Sequence, residues 1–288
     1  MTRGIDHLVL AVRDLPKARA FYEALGFTLT PRAEHPWGTA NHLAQFQGCF
    51  LEILGIADAA KIPPHKAGEF SFGAHNRDFL GRSEGMSMLV FQSHDARRDQ
   101  AEFAAAGLAT YAPFDFGREA KLPDGGTARV AFSLAFVTDP RMPESAFFTC
   151  QQHAPKYFWK REYQSHANGA RTIAEAIMVA PDPPALAEFF TKLQGAESVR
   201  CSDGALAVAT ARGKIVVATP AAFAARFGEP SGGPAAPHFA AFRIAGVDAA
   251  AEAARLSAAR IPYRRAEGAV QVPASAAFGV SIEFASSP

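Results

Sequence analysis

One pattern recurs four times along the chain: an apolar run, an aspartate, then a segment of helical periodicity closing on a small or turn residue. The copies are HLVLAVRDLPKARAFYEALGF from His7, MLVFQSHDARRDQAEFAAAGL from Met88, IMVAPDPPALAEFFTKLQGA from Ile177 and FRIAGVDAAAEAARLSAARIP from Phe242. Their aspartates, Asp14, Asp95, Asp182 and Asp248, lie 81, 87 and 66 residues apart. Self-similarity on this scale restricts the chain to repeated supersecondary units that bury their apolar faces against one another. Each copy is also a control for the others, so a polar residue where the rest are bland needs its own explanation.

In the first copy an apolar strand over 5–12 contains His7. Asp14 is placed to cap a helix, with Pro16 in the first turn where a missing N–H costs nothing. Ala18, Phe21, Tyr22 and Leu25 share one helical face, and Gly26 closes it. Strands are expected over 27–30, 41–46 and 49–54, the last two joined at Gln47-Gly48. The order is β-α-β-β-β. The second copy repeats it with strands over 86–91, 109–114, 128–137 and 146–152 and a helix over 95–106. The third spans 172–219 and the fourth 238–285. Two segments fall outside. The link 57–85 is too long for a structureless loop and should hold a helical turn. The stretch HAPKYFWKREYQSHAN (153–168) is aromatic and charged, so it should pack rather than flex.

The reading is therefore an α+β protein of four tandem β-α-β-β-β modules, paired into two curved eight-stranded mixed sheets. Residues 1–160 would form the N-terminal pair, carrying the site, and 161–288 a C-terminal pair serving as scaffold or lid. A hydrophobic content of 49% over 288 residues supplies apolar surface for such cores. With 29 Lys+Arg against 28 Asp+Glu and no basic stripe, nucleic acid is not an expected partner. No apolar stretch reaches spanning length, so no membrane partner is expected either. Cys49, Cys150 and Cys201 match neither a disulfide framework nor a CxxC metal site, which points to reduced thiols and a cytoplasmic location. Homodimerisation is left open.

The finer signature, HLVLAVRDLPKARAFYEALGF, GTANHLAQF, CFLEIL and FFTCQQHAPKYFWKREYQSHANGA, resembles the glyoxalase-like domain proteins of the vicinal oxygen chelate (glyoxalase / extradiol dioxygenase) superfamily. The resemblance implies paired modules with a metal or ligand held in the cup of each sheet. In metal-binding members the first strand supplies a His and the fourth a Glu, and His7 and Glu52 match those places. Glu52 sits among Phe50, Leu51, Ile53 and Leu54, where an ionised carboxylate is expensive unless paired, protonated or on a metal. Imidazole with carboxylate suits Fe, Mn, Ni or Zn.

The second copy departs from the pattern. Met88 stands where a second His would, and Thr149, Cys150 or Gln151 falls near the place of Glu52. His153 is then the expected third metal ligand, the alternative being a substrate-binding or supporting role, with Glu52 also the catalytic group. Trp37, Asn41, Gln151, Trp159 and His166 are the expected substrate contacts, and His42 lies in the same strand. In the second half, His238 and Glu283 have the spacing of His7 and Glu52, although Phe239 is closer to the ligand register, and Glu175 is the only such residue in copy three. The function implied is a divalent-metal lyase or dioxygenase acting on a small substrate with vicinal oxygens. The alternative is a metal-free protein that binds or sequesters a small molecule.

Overall fold

The computed structural model describes residues 2–121 and 126–287. The first module runs β1 (Ile5–Ala11), α1 (Leu15–Ala24), β2 (Ala33–Glu34), β3 (Thr39–Gln45) and β4 (Phe50–Ile56); α2 (Phe72–Leu80) fills the long link. The second runs β5 (Gly85–Ser93), α3 (Ala96–Ala105), β6 (Ala109–Thr110), β7 (Phe114–Lys121), β8 (Thr127–Thr138) and β9 (Ala146–Gln152), followed by the short α4 (Pro155–Phe158). The third comprises β10 (Thr172–Val179), α5 (Ala187–Gln194), β11 (Val199–Ser202), β12 (Ala205–Ala209) and β13 (Lys214–Ala218), with α6 (Pro220–Phe227) after it. The fourth comprises β14 (His238–Ala245), α7 (Ala249–Ala258), β15 (Arg264–Ala266), β16 (Ala269–Val272) and β17 (Ser281–Ala285).

The strands make two open mixed sheets. One has the order β2-β3-β4-β1-β5-β9-β8-β6, with β7 also paired to β8; the other has β11-β12-β13-β10-β14-β17-β16-β15. The antiparallel contacts β1–β5 and β10–β14 join first to second and third to fourth modules. The first sheet thus has nine strands instead of eight, because the strand expected over 109–114 is split into β6 and the long β7. The strand expected over 27–30 is not formed. That segment holds to β3 through Thr30, whose N–H donates to Leu43 O at 2.9 Å, and regular pairing begins only at β2.

Three of the four repeated aspartates cap helices through their side chains: Asp14 accepts from Lys17 N, Asp95 from Arg97 and Arg98 N, and Asp248 from Ala251 N. Asp182 does not, since Pro183 and Pro184 follow it and the chain enters through a 3-10 turn. Each cap satisfies at least one otherwise orphaned N–H and is worth about 1 kcal/mol.

Each sheet has two unlike faces. On one, a continuous apolar cluster includes Tyr22 of α1, Phe103 of α3, Phe190 of α5 and Leu256 of α7, and it draws on both sheets. Phe147 of β9 meets Phe189, Phe190 and Phe239, and Phe27 meets Phe284, so the halves share this core. The other face of the first sheet forms a separate aromatic cluster around Val9, Phe50, Met88, Val90 and Phe148. Alternation along the strands decides which side chains reach it. Among the described residues no helix is long and apolar enough to cross a membrane.

Candidate functional site

His7 and Glu52 both reach the second, aromatic face. β1 and β4 run parallel with His7 opposite Phe50 and Val9 opposite Glu52, so the two polar groups come from neighbouring strands two residues apart in register. His7 Nε2 lies 3.7 Å from Glu52 Oε2, and both residues are buried. That gap is too long for a hydrogen bond. The remaining atoms of the pair are fixed. Asn41 Nδ2 donates to Glu52 Oε1 at 2.6 Å, and Phe50 stacks on the imidazole at 4.2 Å between centroids.

The other imidazole nitrogen is held by Asp6, which the sequence reading did not single out. Strict alternation would send Asp6 to the helical face. The β1–β5 register shifts between Ile5 and His7, however, and this bulge turns two consecutive side chains toward each other. Asp6 Oδ1 and His7 Nδ1 are 2.6 Å apart, an arrangement in which the carboxylate accepts from Nδ1–H and leaves Nε2 directed toward Glu52. An aspartate beside a strand histidine was the available signal, and the bulge was not legible. His35 was also missed: it stacks on Trp37 at 4.7 Å, and its Nδ1 lies 2.8 Å from Thr39 Oγ1.

His7, His35, Asn41 and Glu52 line a chamber of about 60 Å³ whose walls include Trp37, Phe72, Phe116, Phe132 and Phe148. Cys150 also lines it, but burial pushes its thiol well above the usual range, and the charges of Asp6 and Glu52 add to that. It is therefore a protonated wall group rather than a nucleophile. Phe158, Asn41 and Leu43 separate the chamber from an outer cleft of about 440 Å³ that also contains Tyr157 and Tyr163. A larger cleft, about 630 Å³, lies beside Glu84, Glu229 and His238 and contains neither His7 nor Glu52. Volume alone would select that cleft; the chemistry selects the small chamber.

Of the expected substrate contacts, Trp37 and Asn41 line the chamber, and the buried indole N–H of Trp37 has no hydrogen-bond partner among the described residues. Trp159 is half-buried behind the wall, edge-on to Phe50 and Phe158. Gln151 and His166 do not reach the chamber. Gln151 Oε1 accepts from Ala96 N and its Nε2 donates to His94 O, so it serves the start of α3. His166 Nδ1 accepts from Thr28 N while Nε2 donates to Gln45 O, between the rings of Phe27 and Phe46 on the helical face. Burial lowers its basicity, so it ties the connector to β3 as a neutral ring. His42 likewise turns away, its Nδ1 meeting Thr30 O at 2.8 Å.

The three-ligand set of His7, Glu52 and His153 is not assembled. His153 is exposed, and its Nε2 meets Ser133 Oγ at 2.8 Å. Neighbours Phe132 and Leu134 line the chamber, so Ser133 and its partner His153 belong to the opposite face. Among the described residues no group of three His, Cys, Asp or Glu side chains is placed to hold a metal ion. Register explains why. Val9 faces both Glu52 and Met88, and in the second module Val90 faces both His7 and Phe148. Met88 therefore takes the place of His7, as expected, but Phe148 rather than Thr149, Cys150 or Gln151 takes that of Glu52. One imidazole and one carboxylate, facing a thioether and a phenyl ring, do not make the divalent-metal centre that the resemblance implied.

The same register corrects the second half. Glu175 stands opposite Lys214 and Arg243, as His7 stands opposite Phe50 and Val90; Glu283 stands opposite Arg243, as Phe148 stands opposite Val90, and Val216, opposite Ile177, takes the place of Glu52. Ala241, opposite Ile177, takes the remaining His position in place of Phe239. His238 instead meets Ala236 O and Ser231 Oγ.

Comparison with known proteins agrees with this architecture. A family model described as "Glyoxalase-like domain" matches residues 5–194. No curated protein matches the sequence. Among solved structures, a hypothetical protein from Staphylococcus aureus aligns at 11% identity with TM-score 0.69, covering 98% of both chains. A mutant 4-hydroxymandelate synthase from Streptomyces coelicolor aligns at 10% identity and TM-score 0.55, covering 99% of this chain and 92% of that one. An Mn(II)-bound glyoxalase from Novosphingobium aromaticivorans aligns at 15% identity and TM-score 0.54, covering 99% and 82%. At such identities the structures speak for the fold, while the family match extends over more than half of the sequence: the chain belongs to the glyoxalase-like domain family, within the vicinal oxygen chelate superfamily.

Proposed function

We propose that the N-terminal cup binds a small molecule carrying vicinal oxygens on an apolar, aryl-sized body, and that the chain is an enzyme acting on it through His7 and Glu52. The observation that carries this reading is the open 3.7 Å gap between two buried polar groups that face one chamber. In the second cup the corresponding contact between Arg226 and Glu283 closes to 2.6 Å. The aromatic walls suit a flat apolar body, and the unpartnered indole N–H of Trp37 suits an oxygen on it. One structural neighbour is named for 4-hydroxymandelate, an aryl compound with adjacent oxygens. The chamber is too small for such a body at rest, so Phe158 must swing to join it to the outer cleft. Lyase-type chemistry is the better match to this donor set, since it asks the side chains for proton movement alone.

Met88 and Phe148 favour a second reading, in which the cup holds its ligand without turning it over. A thermal-stabilisation screen against aryl α-keto acids, diketones, hemithioacetals and catechols tests the first point. At least one class should raise Tm for the native chain and fail to do so for His7→Ala. If none stabilises the native protein, the N-terminal cup is not the site. Binding without product would leave the sequestering reading.

A further inference from the structure

We infer that the N-terminal cup transfers a proton at a carbon beside a carbonyl without a metal ion, Glu52 acting as base, His7 as acid and Asp6 as a positioning residue. The inference rests on the reading above that His7 and Glu52 are the reacting pair. It starts from the disagreement between the donor set and a metal centre. Where a second His and Glu would complete chelation, the register places Met88 and Phe148, both buried in the aromatic cluster. What the chain supplies in exchange is a hydrogen-bonded carboxylate behind the imidazole. The β1 bulge brings Asp6 Oδ1 to 2.6 Å from His7 Nδ1, which fixes the ring's orientation and directs Nε2 into the gap. Phe50, stacked at 4.2 Å, keeps the ring from turning, and Asn41 holds Glu52 Oε1 so that Oε2 alone faces the gap.

The gap between Nε2 and Oε2 lets the two adjacent centres of a carbonyl unit meet one group each. Glu52 Oε2 takes the α-proton, forming an O–H bond. The C–H electron pair becomes the C=C bond of an enol, and the carbonyl π pair moves to oxygen. That oxygen takes the proton from His7 Nε2–H, leaving a neutral imidazole that keeps its Nδ1–H on Asp6. Reversal with a proton from solvent returns the ketone, so atoms and electrons balance with no oxidant or reductant. The substrate class is an aryl ketone or aryl α-keto acid with an enolisable C–H, its ring among Phe72, Phe132 and Phe148.

The test uses phenylpyruvate in D₂O with the full-length chain dialysed against EDTA and its metal content measured. Exchange of the benzylic protons is followed by NMR, and binding is read in parallel as a Tm shift. The expected result is exchange at least 100-fold above the spontaneous rate, unchanged by EDTA, and lost in Glu52→Gln although that variant is still stabilised by phenylpyruvate. Asp6→Asn should lower kcat at least tenfold with KM held, a split that a merely structural role would not give. Exchange that appears only on adding Mn²⁺, or binding without exchange, overturns the inference and leaves the proposed site standing. Absence of any stabilisation by phenylpyruvate overturns it as well, and failure across the whole ligand screen removes the site itself.

Discussion

Both cups bury carboxylates and treat them in opposite ways. Both first strands carry a bulge at the same point, between Ile5 and His7 in β1 and between Ile173 and Glu175 in β10. In the first cup the residues that follow are a histidine and, across the sheet, a glutamate left 3.7 Å apart against aromatic walls. In the second they are two glutamates, Glu175 and Glu283, and Arg226 from the last turn of α6 reaches between them at 2.8 and 2.6 Å. Lys214 adds a contact to Glu175 at 3.1 Å, and Gln271 Nε2 donates to Glu283 at 2.6 Å. Burial pushes Glu175 up, but Arg226 and Lys214 outweigh it and hold the carboxyl below its usual range. A guanidinium thus occupies the second cup where the first leaves a chamber. One scaffold supports either an open gap or a closed ion network, and the choice is made by a single helix and a few side chains.

The largest expected effect is on the closed cup. Arg226→Ala leaves two buried carboxylates short of their common partner, and breaking a buried pair in this way costs about 3–5 kcal/mol. Chemical denaturation should show that loss. A change below about 1 kcal/mol would mean that Lys214 and Arg243 neutralise the pair unaided, and the contrast between the cups would then rest on Glu175 and Glu283 alone. Because the folded state holds Glu175 ionised, its contribution is present above its unfolded pKa and is lost as pH falls through the folded value.

A second carboxyl in the same half tests the converse. Glu252, in the first turn of α7, is buried beside Arg255, whose Nε lies 3.3 Å from Oε2, and burial pushes its pKa to about 7 against that charge. Its folded state therefore binds a proton more tightly than the unfolded chain does. Stability from this group is full below pH about 4.5 and declines as pH rises to about 7. Glu252→Gln should accordingly stabilise the protein by about 2 kcal/mol at pH 8 and have little effect at pH 4.5. Equal effects at the two pH values would show that the Arg255 contact offsets the cost of burying the charge.

In the open cup, removing charge should cost little. Glu52→Gln keeps an oxygen for Asn41 and removes a buried carboxylate that Asn41 alone hydrogen-bonds, so stability should hold within about 1 kcal/mol or rise. A loss as large as that of Arg226→Ala would mean that His7 and Glu52 form a structural ion pair, and the distinction between the cups would collapse.

Much of this architecture was legible because it rests on period and punctuation. The repeated aspartates located the helices, and the apolar runs located the central strands β1, β5, β10 and β14. What failed was local. The segment 27–30 has strand composition but joins β3 through Thr30 alone among the described residues, with no ladder, and β7 extends beyond any alternation the sequence displays. At the site, His7 and Glu52 could be found because each is polar within an apolar strand. Asp6 could not, since only a bulge makes neighbouring side chains meet. Gln151, His153 and His166 were misplaced for one reason: a position near the end of an element leaves its face undetermined, and one residue of slip reverses it.

His153 gives the smallest predicted effect and the sharpest check on that parity. In the sequence it is the natural third ligand, two to four residues past the place of Glu52. In the fold it is exposed and bonded to Ser133, whose neighbours Phe132 and Leu134 face the chamber while Ser133 does not. His153→Ala removes one side-chain bond at the surface and should change stability by no more than about 0.5 kcal/mol. Stabilisation of the native chain by an aryl α-keto acid should be unaffected, whereas His7→Ala should abolish it. A His153→Ala variant that loses ligand binding while staying folded would place the imidazole in the chamber. The N-terminal cup would then hold three ligating groups, and its contrast with the sealed C-terminal cup would become one of metal against guanidinium.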